Sequence, residues 1–200
     1  MPETKIIAIV GMCGSGKSIL ADELVRRGCG FVRFGQLTLD IIKEKGLEPN
    51  EANEKEIREG LRQEHGMGAF ATLNIPKFDQ ILKEKNLVAD GLYSWTEYKI
   101  LKDYYGGRLT VVAVYAPPKL RYERISKRFS DKADTALRNR NFTKAEAQSR
   151  DFAEIENIEK GGPIAMADYT ISNTGTAEEY SEKIKDFIIG TLAIRPCLRL

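Results

Sequence analysis

A glycine-rich octet, GMCGSGKS, lies between a short apolar run and a helical pattern, and it constrains the fold more than any other feature of the sequence. It spans Gly11–Ser18 and has the spacing G-x-x-x-x-G-K-S. Successive backbone N–H groups in such a turn point inward, since glycine tolerates the dihedral angles and the close approach that an anion requires. The helix that starts near Lys17 adds the positive end of its dipole. The octet therefore predicts a binding site for the phosphates of a nucleotide.

The residues of this octet have separate predicted roles in binding ATP and Mg²⁺. Lys17 supplies a mobile cation for the β- and γ-phosphates, and the Ser18 hydroxyl is a ligand of Mg²⁺. Asp90, at the end of the apolar run NLVAD, is the candidate carboxylate for the water around that ion. A glycine-rich turn with a surface lysine, and an aspartate that caps a turn, are the structural alternatives. The predicted ATP contacts in the octet are Gly11, Met12, Cys13, Gly14, Ser15, Gly16, Lys17 and Ser18.

Five short apolar runs without polar alternation are separated by helical patterns. Such runs are typical of strands covered on both faces, as in a parallel sheet. Helix signals fall between them, including the Ser/Thr-x-x-Glu spacing of a capping box at Thr143 with Glu146 and at Thr176 with Glu179. Alternating strands and helices predict an α/β fold with a five-stranded, doubly wound parallel sheet. The predicted strands are Lys5–Val10, Phe31–Phe34, Leu87–Ala89, Leu109–Tyr115 and Tyr169–Ile171.

Length and charge restrict the class of protein. A chain of 200 residues suggests a single domain over 1–200. A net charge of +2 gives no strong field for nucleic acid or an acidic membrane, so neither is an expected partner. The three cysteines are odd in number and unpatterned, which fits a reducing cytosol. No stretch approaches a signal peptide or a membrane span, and we expect a cytoplasmic protein that is a monomer or a small homo-oligomer.

Two segments are longer than a simple crossover between strands. Residues 36–86 contain about three helical patterns and no strand, which predicts a helical insertion. Residues 130–142, SDKADTALRNRNF, are polar and basic, which predicts a mobile lid over a site. What the γ-phosphoryl group is transferred to depends on these two segments.

Several segments resemble the adenylate-kinase and dephospho-CoA-kinase branch of P-loop proteins, and more closely an archaeal group of adenylate-kinase-related proteins. The resemblance covers Lys5 to about Ile188. VADG at Val88–Gly91 is similar to the strand-end Asp-Gly of nucleoside monophosphate kinases, and RYERISKRF at Arg121–Phe129 to the helix that sends two arginines into the site. ADYTISNTGT and FTKAEAQSRDFAEIE resemble the loop beside the adenine and the helix that returns from the lid. This resemblance implies a P-loop NTPase of the nucleoside monophosphate kinase type, with an acceptor-binding insertion over 36–86 and a short lid.

The same resemblance implies which residues act on the phosphoryl group. Arg124 and Arg128 are one helical turn apart and share a helix face, and Arg150 lies on the returning helix. Guanidinium groups keep their charge and bind phosphate oxygens in fork geometry, so we expect these three to stabilise the transferring phosphoryl group together with Lys17. Asn173 is the candidate contact for adenine. Solvated arginines and a turn-forming asparagine are the alternatives.

The acceptor site is the least regular part of the resemblance. The position of Gly35 is held in dephospho-CoA kinases by an aspartate that accepts a proton, so glycine here favours an acceptor that is already a phosphate. Adenylate kinases follow their Asp-Gly with a proline and an arginine, whereas DGLYSW contains neither. Pairing of the arginines at 58 and 62 with Glu54 and Glu59 on a solvated face is an equal alternative to acceptor binding. The candidate acceptor-binding residues are Arg33, Gly35, Arg58, Arg62 and Gly91.

Three functional hypotheses follow. The first is transfer of the γ-phosphoryl group of ATP·Mg²⁺ to a nucleoside monophosphate such as AMP. The second is a nucleotide-binding regulator or weak ATPase without efficient transfer, which the missing arginine after Asp90–Gly91 favours. The third is a kinase for an alcohol, such as a coenzyme A precursor, which Gly35 disfavours.

Overall fold

The computed structural model of the protein describes residues 3–127 and 143–194. Within these ranges the chain alternates between strands and helices. The strands are β1 (Ile6–Val10), β2 (Gly30–Arg33), β3 (Leu87–Asp90), β4 (Leu109–Tyr115) and β5 (Tyr169–Ser172). The helices are α1 (Lys17–Arg26), α2 (Gln36–Glu44), α3 (Glu51–His65), α4 (Ala69–Leu82), α5 (Trp95–Tyr105), α6 (Pro118–Ser126), α7 (Lys144–Ile158), α8 (Gly161–Ala165) and α9 (Ala177–Gly190). Every predicted strand agrees with an observed strand to within one residue at each end.

The strands form one parallel sheet in the order β2-β3-β1-β4-β5, which confirms the predicted fold class. All five residues of the central strand β1 are buried. Ile6, Ala8 and Val10 pack with α4 and α5 on one face of the sheet, while Ile7 and Ile9 pack with α1 and α9 on the other. A strand covered on both faces needs apolar residues at every position, which explains the unbroken apolar runs in the sequence.

The carboxyl ends of the parallel strands meet at one edge of the sheet. The octet follows β1, which lies between β3 and β4. Asp90 pairs in register with Ile9, and the Gly91 amide donates to the Ile9 carbonyl at 3.1 Å, so the end of β3 lies directly beside the start of the octet. Gly35 follows β2 at the same edge. Ligands of open α/β sheets bind at such an edge, which makes it the place to look for a site.

Three helices, α2 to α4, connect β2 to β3, in agreement with the three helical patterns of that segment. The Asn50 side chain caps α3 by accepting a hydrogen bond from the Asn53 amide. That this insertion binds an acceptor stays a prediction. The predicted lid over 130–142 lies outside the described residues, and so does Arg128. Among the helices that the structure describes, none combines the length and the apolar character that a bilayer span requires.

Candidate active site

Three carbonyl groups of the octet are held by other parts of the protein. They accept hydrogen bonds from side chains on α6, on the loop after β5 and on α9. The pairs are Arg121 Nη1 to Cys13 O (3.0 Å), Asn173 Nδ2 to Ser15 O (2.8 Å) and Tyr180 Oη to Gly16 O (3.1 Å). In the described part of the chain, no backbone carbonyl accepts from the amides of Gly14 or Gly16. Because no backbone carbonyl engages them, these amides are left to bind an anion.

All three glycines of the octet, Gly11, Gly14 and Gly16, are required by its geometry. Gly14 and Gly16 have φ angles of +80° and +103°, in the left-handed region that disfavours any other residue. A Cβ atom at Gly14 would lie 2.9 Å from the Ile125 side chain, and one at Gly16 would collide with the Asn173 amide. The surrounding helices therefore touch the loop closely enough to fix its shape.

Lys17 is held by the octet itself. Its Nζ atom donates to the carbonyl oxygens of Gly11 at 2.8 Å and Met12 at 3.0 Å. Burial, together with the charge of Lys160, lowers the pKa of Lys17 to about 8, although the Asp90 carboxylate opposes this change. The ammonium group is thus held by the loop and feels the charges of one carboxylate and of a second lysine that the sequence did not indicate.

Asp90 meets the requirement for a carboxylate near Mg²⁺. Its Oδ1 atom is buried and has no hydrogen-bond partner among the described residues. A buried carboxylate oxygen without a donor is costly unless something binds it. The charge of Asp90 acts on Lys17, and Ser18 follows Lys17 in the chain. Since Mg²⁺ in such sites takes most of its ligands from phosphates and water, Asp90 and Ser18 are a sufficient protein contribution, and the residues fit the ion.

A buried ion pair between α6 and α7 supports the octet from outside. Arg121 and Asp151 are each 3% exposed. They form two hydrogen bonds, of 3.0 and 2.6 Å, and the Tyr122 hydroxyl donates to the same carboxylate at 2.9 Å. Because Arg121 also donates to the Cys13 carbonyl, this pair links two helices to the loop. Sequence reasoning chose Arg124 from this helix and missed Arg121, which no sequence pattern separates from Arg124.

Arg124 and Asn173 contact each other rather than open space. The Arg124 guanidinium donates to the Asn173 backbone carbonyl at 3.0 Å and to its Oδ1 atom at 3.2 Å. Asn173 is 5% exposed, and its amide is bound to Ser15. Both residues therefore brace the octet on the β5 side. Contact of Asn173 with adenine and action of Arg124 on a phosphoryl group stay predictions.

Arg150 belongs to a three-residue charge network at the end of α7. Its Nε atom donates to Glu154 Oε1 at 3.1 Å, and Lys160 Nζ donates to Glu154 Oε2 at 2.6 Å. Burial opposes ionisation of Glu154, but the charges of Lys160 and Arg150 outweigh it and lower its pKa to about 2. Lys160 is 2% exposed, and no sequence pattern marked it. Glu154 thus binds two cations, the predicted Arg150 and the unpredicted Lys160. Action of Arg150 on a phosphoryl group stays a prediction.

The segment after Asp90 folds back over the edge of the sheet. Gly91 has a φ angle of +87°, and a Cβ atom there would lie 3.1 Å from the Tyr93 ring. Lys160 Nζ lies 4.6 Å from the centroid of the same ring. Glu97 is fully buried at the start of α5, where one carboxylate oxygen accepts from the Tyr93 and Ser94 amides and the other has no partner among the described residues.

The predicted acceptor residues have different surroundings. A Cβ atom at Gly35 would meet nothing within 4 Å, so the glycine leaves open space at the start of α2. Arg33 is in register with Asp90 on the neighbouring strand. Arg58 pairs with Glu54 at 3.2 Å, but Glu54 is buried, so this pair does not lie on the solvated face that the structural alternative predicted. Arg62 does not pair with Glu59 within 4 Å; its guanidinium lies 5.4 Å from the Phe70 ring centroid, and its Nε atom is buried without an acceptor among the described residues.

The fold and this edge together define a P-loop nucleotide-binding domain with the architecture of small kinases. Residues 7–159 match the AAA domain family. A UPF0200 protein of the archaeon Sulfurisphaera tokodaii is 37% identical over 186 residues, which cover 92% of this chain and 96% of the relative. The chain therefore belongs to the AAA domain family of P-loop proteins and is a relative of the archaeal UPF0200 proteins.

Two solved structures share the fold. A protein from Thermus thermophilus superposes with a TM-score of 0.62 at 19% identity, over 95% of this chain and 98% of that one. The shikimate kinase of Acinetobacter baumannii in complex with shikimate superposes with a TM-score of 0.52 at 23% identity, over 94% of each chain. These likenesses establish a kinase-like fold and leave the acceptor open.

Proposed function

We propose that the protein transfers the γ-phosphoryl group of ATP·Mg²⁺ to a nucleoside monophosphate, with AMP as the first candidate. The observation that carries this proposal is the octet itself, in which three carbonyls accept hydrogen bonds from Arg121, Asn173 and Tyr180. Lys17 lies against the loop, and the charges of Lys160 and of Glu154, the partner of Arg150, act on it. An ATP triphosphate and an acceptor phosphate are the kind of dense anion that such an arrangement favours.

The residues of the site divide the work of binding and charge stabilisation. The octet amides and Lys17 hold the β- and γ-phosphates, and Lys17 exchanges the Gly11 and Met12 carbonyls for phosphate oxygens. Asp90 and Ser18 hold Mg²⁺, which when bound neutralises charge on the phosphate oxygens. The charge of Glu154, which pairs with Arg150, acts on Lys17 as well, so we place Arg150 near the phosphates. Arg150 stabilises the equatorial oxygens of the transferring group.

A phosphate acceptor suits the carboxylates of this edge. The oxygen of a monophosphate is anionic at neutral pH and needs no general base. Gly35 offers no carboxylate, Asp151 is fully engaged by Arg121, and Glu154 is engaged by Arg150 and Lys160. Asp90 is assigned to the metal. None of these positions thus offers a general base, which supports transfer from one phosphate to another. In this proposal the open space at Gly35 and the cation of Arg62 lie on the acceptor side.

One observation favours a second candidate, transfer to an alcohol. Glu97 has one buried oxygen without a partner among the described residues. Burial raises its pKa to about 7, although two backbone amides, Arg62 and Lys160 oppose this rise. A carboxyl that titrates near neutrality is suited to accept a proton from a hydroxyl. In this case Glu97, rather than a residue at position 35, is the base.

A single assay separates these functions. Purified protein is mixed with ATP·Mg²⁺ and, one at a time, AMP, GMP, CMP, UMP, dephospho-CoA and shikimate, and both ADP and the phosphorylated acceptor are measured. Asp90→Asn is run in parallel, and we expect it to reduce turnover with any acceptor. Phosphorylation of a monophosphate supports the proposal. ADP without a phosphorylated acceptor identifies the regulator or weak ATPase, and turnover restricted to an alcohol replaces the proposal by the second candidate.

A further inference from the structure

We propose that Arg121 is a positioning residue that directs the Gly14 amide toward the phosphates, and that Asp151 holds Arg121 in place for this task. The proposal explains what gives the octet the shape that an anion requires. It rests on the phosphate site of the proposed function, but it does not depend on which acceptor receives the phosphoryl group.

A carbonyl that is held from one side fixes the direction of the amide that follows it. In a trans peptide the C=O group of one residue and the N–H group of the next lie in one plane and point in opposite directions. The Arg121 guanidinium donates to the Cys13 carbonyl at 3.0 Å, and the Gly14 amide belongs to the same peptide unit. The Gly14 N–H group therefore points away from Arg121, and no backbone carbonyl of the described residues accepts from it.

The Arg121 guanidinium is fixed from three directions. Besides its bond to the octet, its Nε atom donates at 3.0 Å to the carbonyl of Ala116, directly after β4. Its two Nη atoms donate at 3.0 and 2.6 Å to the carboxylate of Asp151 on α7. Because the donors of a guanidinium lie in one rigid plane, the group cannot turn toward one partner without leaving another. The Cys13 carbonyl is thus held by a donor that has little freedom to move.

The next peptide units of the octet are held in the same way. Asn173 donates to the Ser15 carbonyl at 2.8 Å, and the same peptide unit carries the Gly16 amide. Tyr180 donates to the Gly16 carbonyl at 3.1 Å, and that unit carries the Lys17 amide. Three side chains from separate elements therefore direct three amides of the loop. The guanidinium differs from the other two in that it carries a charge and is held by a buried ion pair.

The burial of this ion pair favours a positioning role over a role in stability. Moving two charges out of water costs free energy, and apolar side chains of similar volume often stabilise a fold as well or better. Stability alone is therefore a weak reason for a pair whose members are each 3% exposed. A fixed donor beside the octet is a function that apolar side chains cannot perform.

The test replaces both members of the pair, because Arg121→Met alone leaves the Asp151 carboxylate buried without its counter-ion. We expect the double variant, Arg121→Met with Asp151→Met, to bind a non-hydrolysable ATP analogue at least about tenfold more weakly, since a misdirected amide loses a hydrogen bond to a charged group. Tripolyphosphate should lose affinity by the same factor, because these amides contact only phosphates. Titration calorimetry measures both affinities. If the double variant does not unfold cooperatively in urea, Arg121→Lys replaces it with the same criteria, since lysine keeps the charge but lacks the planar fork.

Glu23→Met with Arg27→Met is the matched control. This pair is also mostly buried, with side chains 13% and 8% exposed and a contact of 2.9 Å, but it lies at the end of α1 that is remote from the octet. The control should leave both affinities unchanged.

A spectroscopic measurement reports on the Gly14 amide itself. In the ¹⁵N-labelled unaltered protein, its proton resonance should move downfield when tripolyphosphate binds, as in a charge-assisted hydrogen bond, and the double variant should lose most of this shift. Equal tripolyphosphate affinities, an equal Gly14 shift, or an equal loss in the control pair overturns the proposal. If the unaltered protein binds neither the analogue nor tripolyphosphate, the phosphate site and this proposal both fail. If it binds both but phosphorylates no acceptor, only the proposed transfer fails.

Discussion

Replacing Glu97 with glutamine is expected to remove a decrease in the free energy of unfolding that occurs as the pH rises. Glu97 is fully buried and closes a capping box with Ser94 at the start of α5. Its Oε2 atom accepts from the Tyr93 and Ser94 amides at 3.0 Å each. Glutamine keeps one oxygen for these two amides but carries no charge. The substitution therefore isolates the cost of ionising the carboxyl group in place.

The free-energy cost of ionising Glu97 in the folded protein follows from its raised pKa. Burial raises the pKa of Glu97 from 4.5 to about 7. Between these values the folded protein holds a proton that the unfolded chain has released, so the free energy of unfolding falls as the pH rises. At about 1.4 kcal/mol for each pKa unit, the folded state loses up to about 3 kcal/mol across this window. Below pH 4.5 both states are protonated and the effect is absent.

Urea unfolding of the unaltered protein and of Glu97→Gln, at intervals from pH 4 to pH 8, measures the effect. We expect the difference between the two free energies of unfolding to change by up to about 3 kcal/mol between pH 4.5 and 7, in favour of the variant at higher pH. Glu146→Gln is the matched control, because Glu146 has the same place in the Thr143 capping box but is exposed. Its profile should follow that of the unaltered protein in this window. Parallel profiles for Glu97→Gln and the unaltered protein would falsify the reasoning.

Two other substitutions test the buried ion pair beside the octet and the cation that we assign to the phosphates. Asp151→Asn leaves the buried Arg121 guanidinium without a counter-ion, so we expect a loss of about 3–5 kcal/mol in urea unfolding. Glu59→Gln, which breaks the exposed pair with Lys55, should cost about 1 kcal/mol or less, and equal losses for the two variants contradict the assigned burial. Lys17→Ala should weaken the binding of a fluorescent ATP analogue by at least about tenfold, since a charged contact is lost. Lys83→Ala, which lies just before β3 and therefore near the opposite edge of the sheet, should leave that affinity unchanged, and unchanged affinity for Lys17→Ala contradicts the phosphate site.

The sequence was sufficient for the parts of the molecule that depend on local pattern. The octet, the strands and the two predicted capping boxes are each encoded within a few consecutive residues, and the structure contains them where they were expected. The third capping box, Ser94 with Glu97, has the same spacing and was overlooked. Its spacing predicts the helix start, but not the burial of the glutamate, which depends on helices far away in the chain.

The side chains that hold the octet in place also depend on distant contacts, and their partners could not be predicted from the sequence. Arg121 meets Asp151 across 30 positions, and Tyr180 meets Gly16 across 164. Neither pair has a spacing rule, because its members lie on separate elements that meet only in the folded chain. Arg124 was chosen for a face of its helix, yet the nearby loop after β5 engages its guanidinium. Sequence reasoning thus identified the residue types around the octet better than their partners.

The pairing of charges around the octet has a consequence for what it binds. Lys17 is held by two loop carbonyls, and Arg150 and Lys160 share Glu154, so each cation of the site has an oxygen of the protein as its partner. A ligand must therefore offer oxygens that compete with carbonyls and a carboxylate already in place. A single carboxylate or hydroxyl gains little by such an exchange, whereas a polyphosphate supplies several charged oxygens at once. The carbonyls and the carboxylate that already bind these cations thereby favour polyphosphates over anions that carry a single charged group.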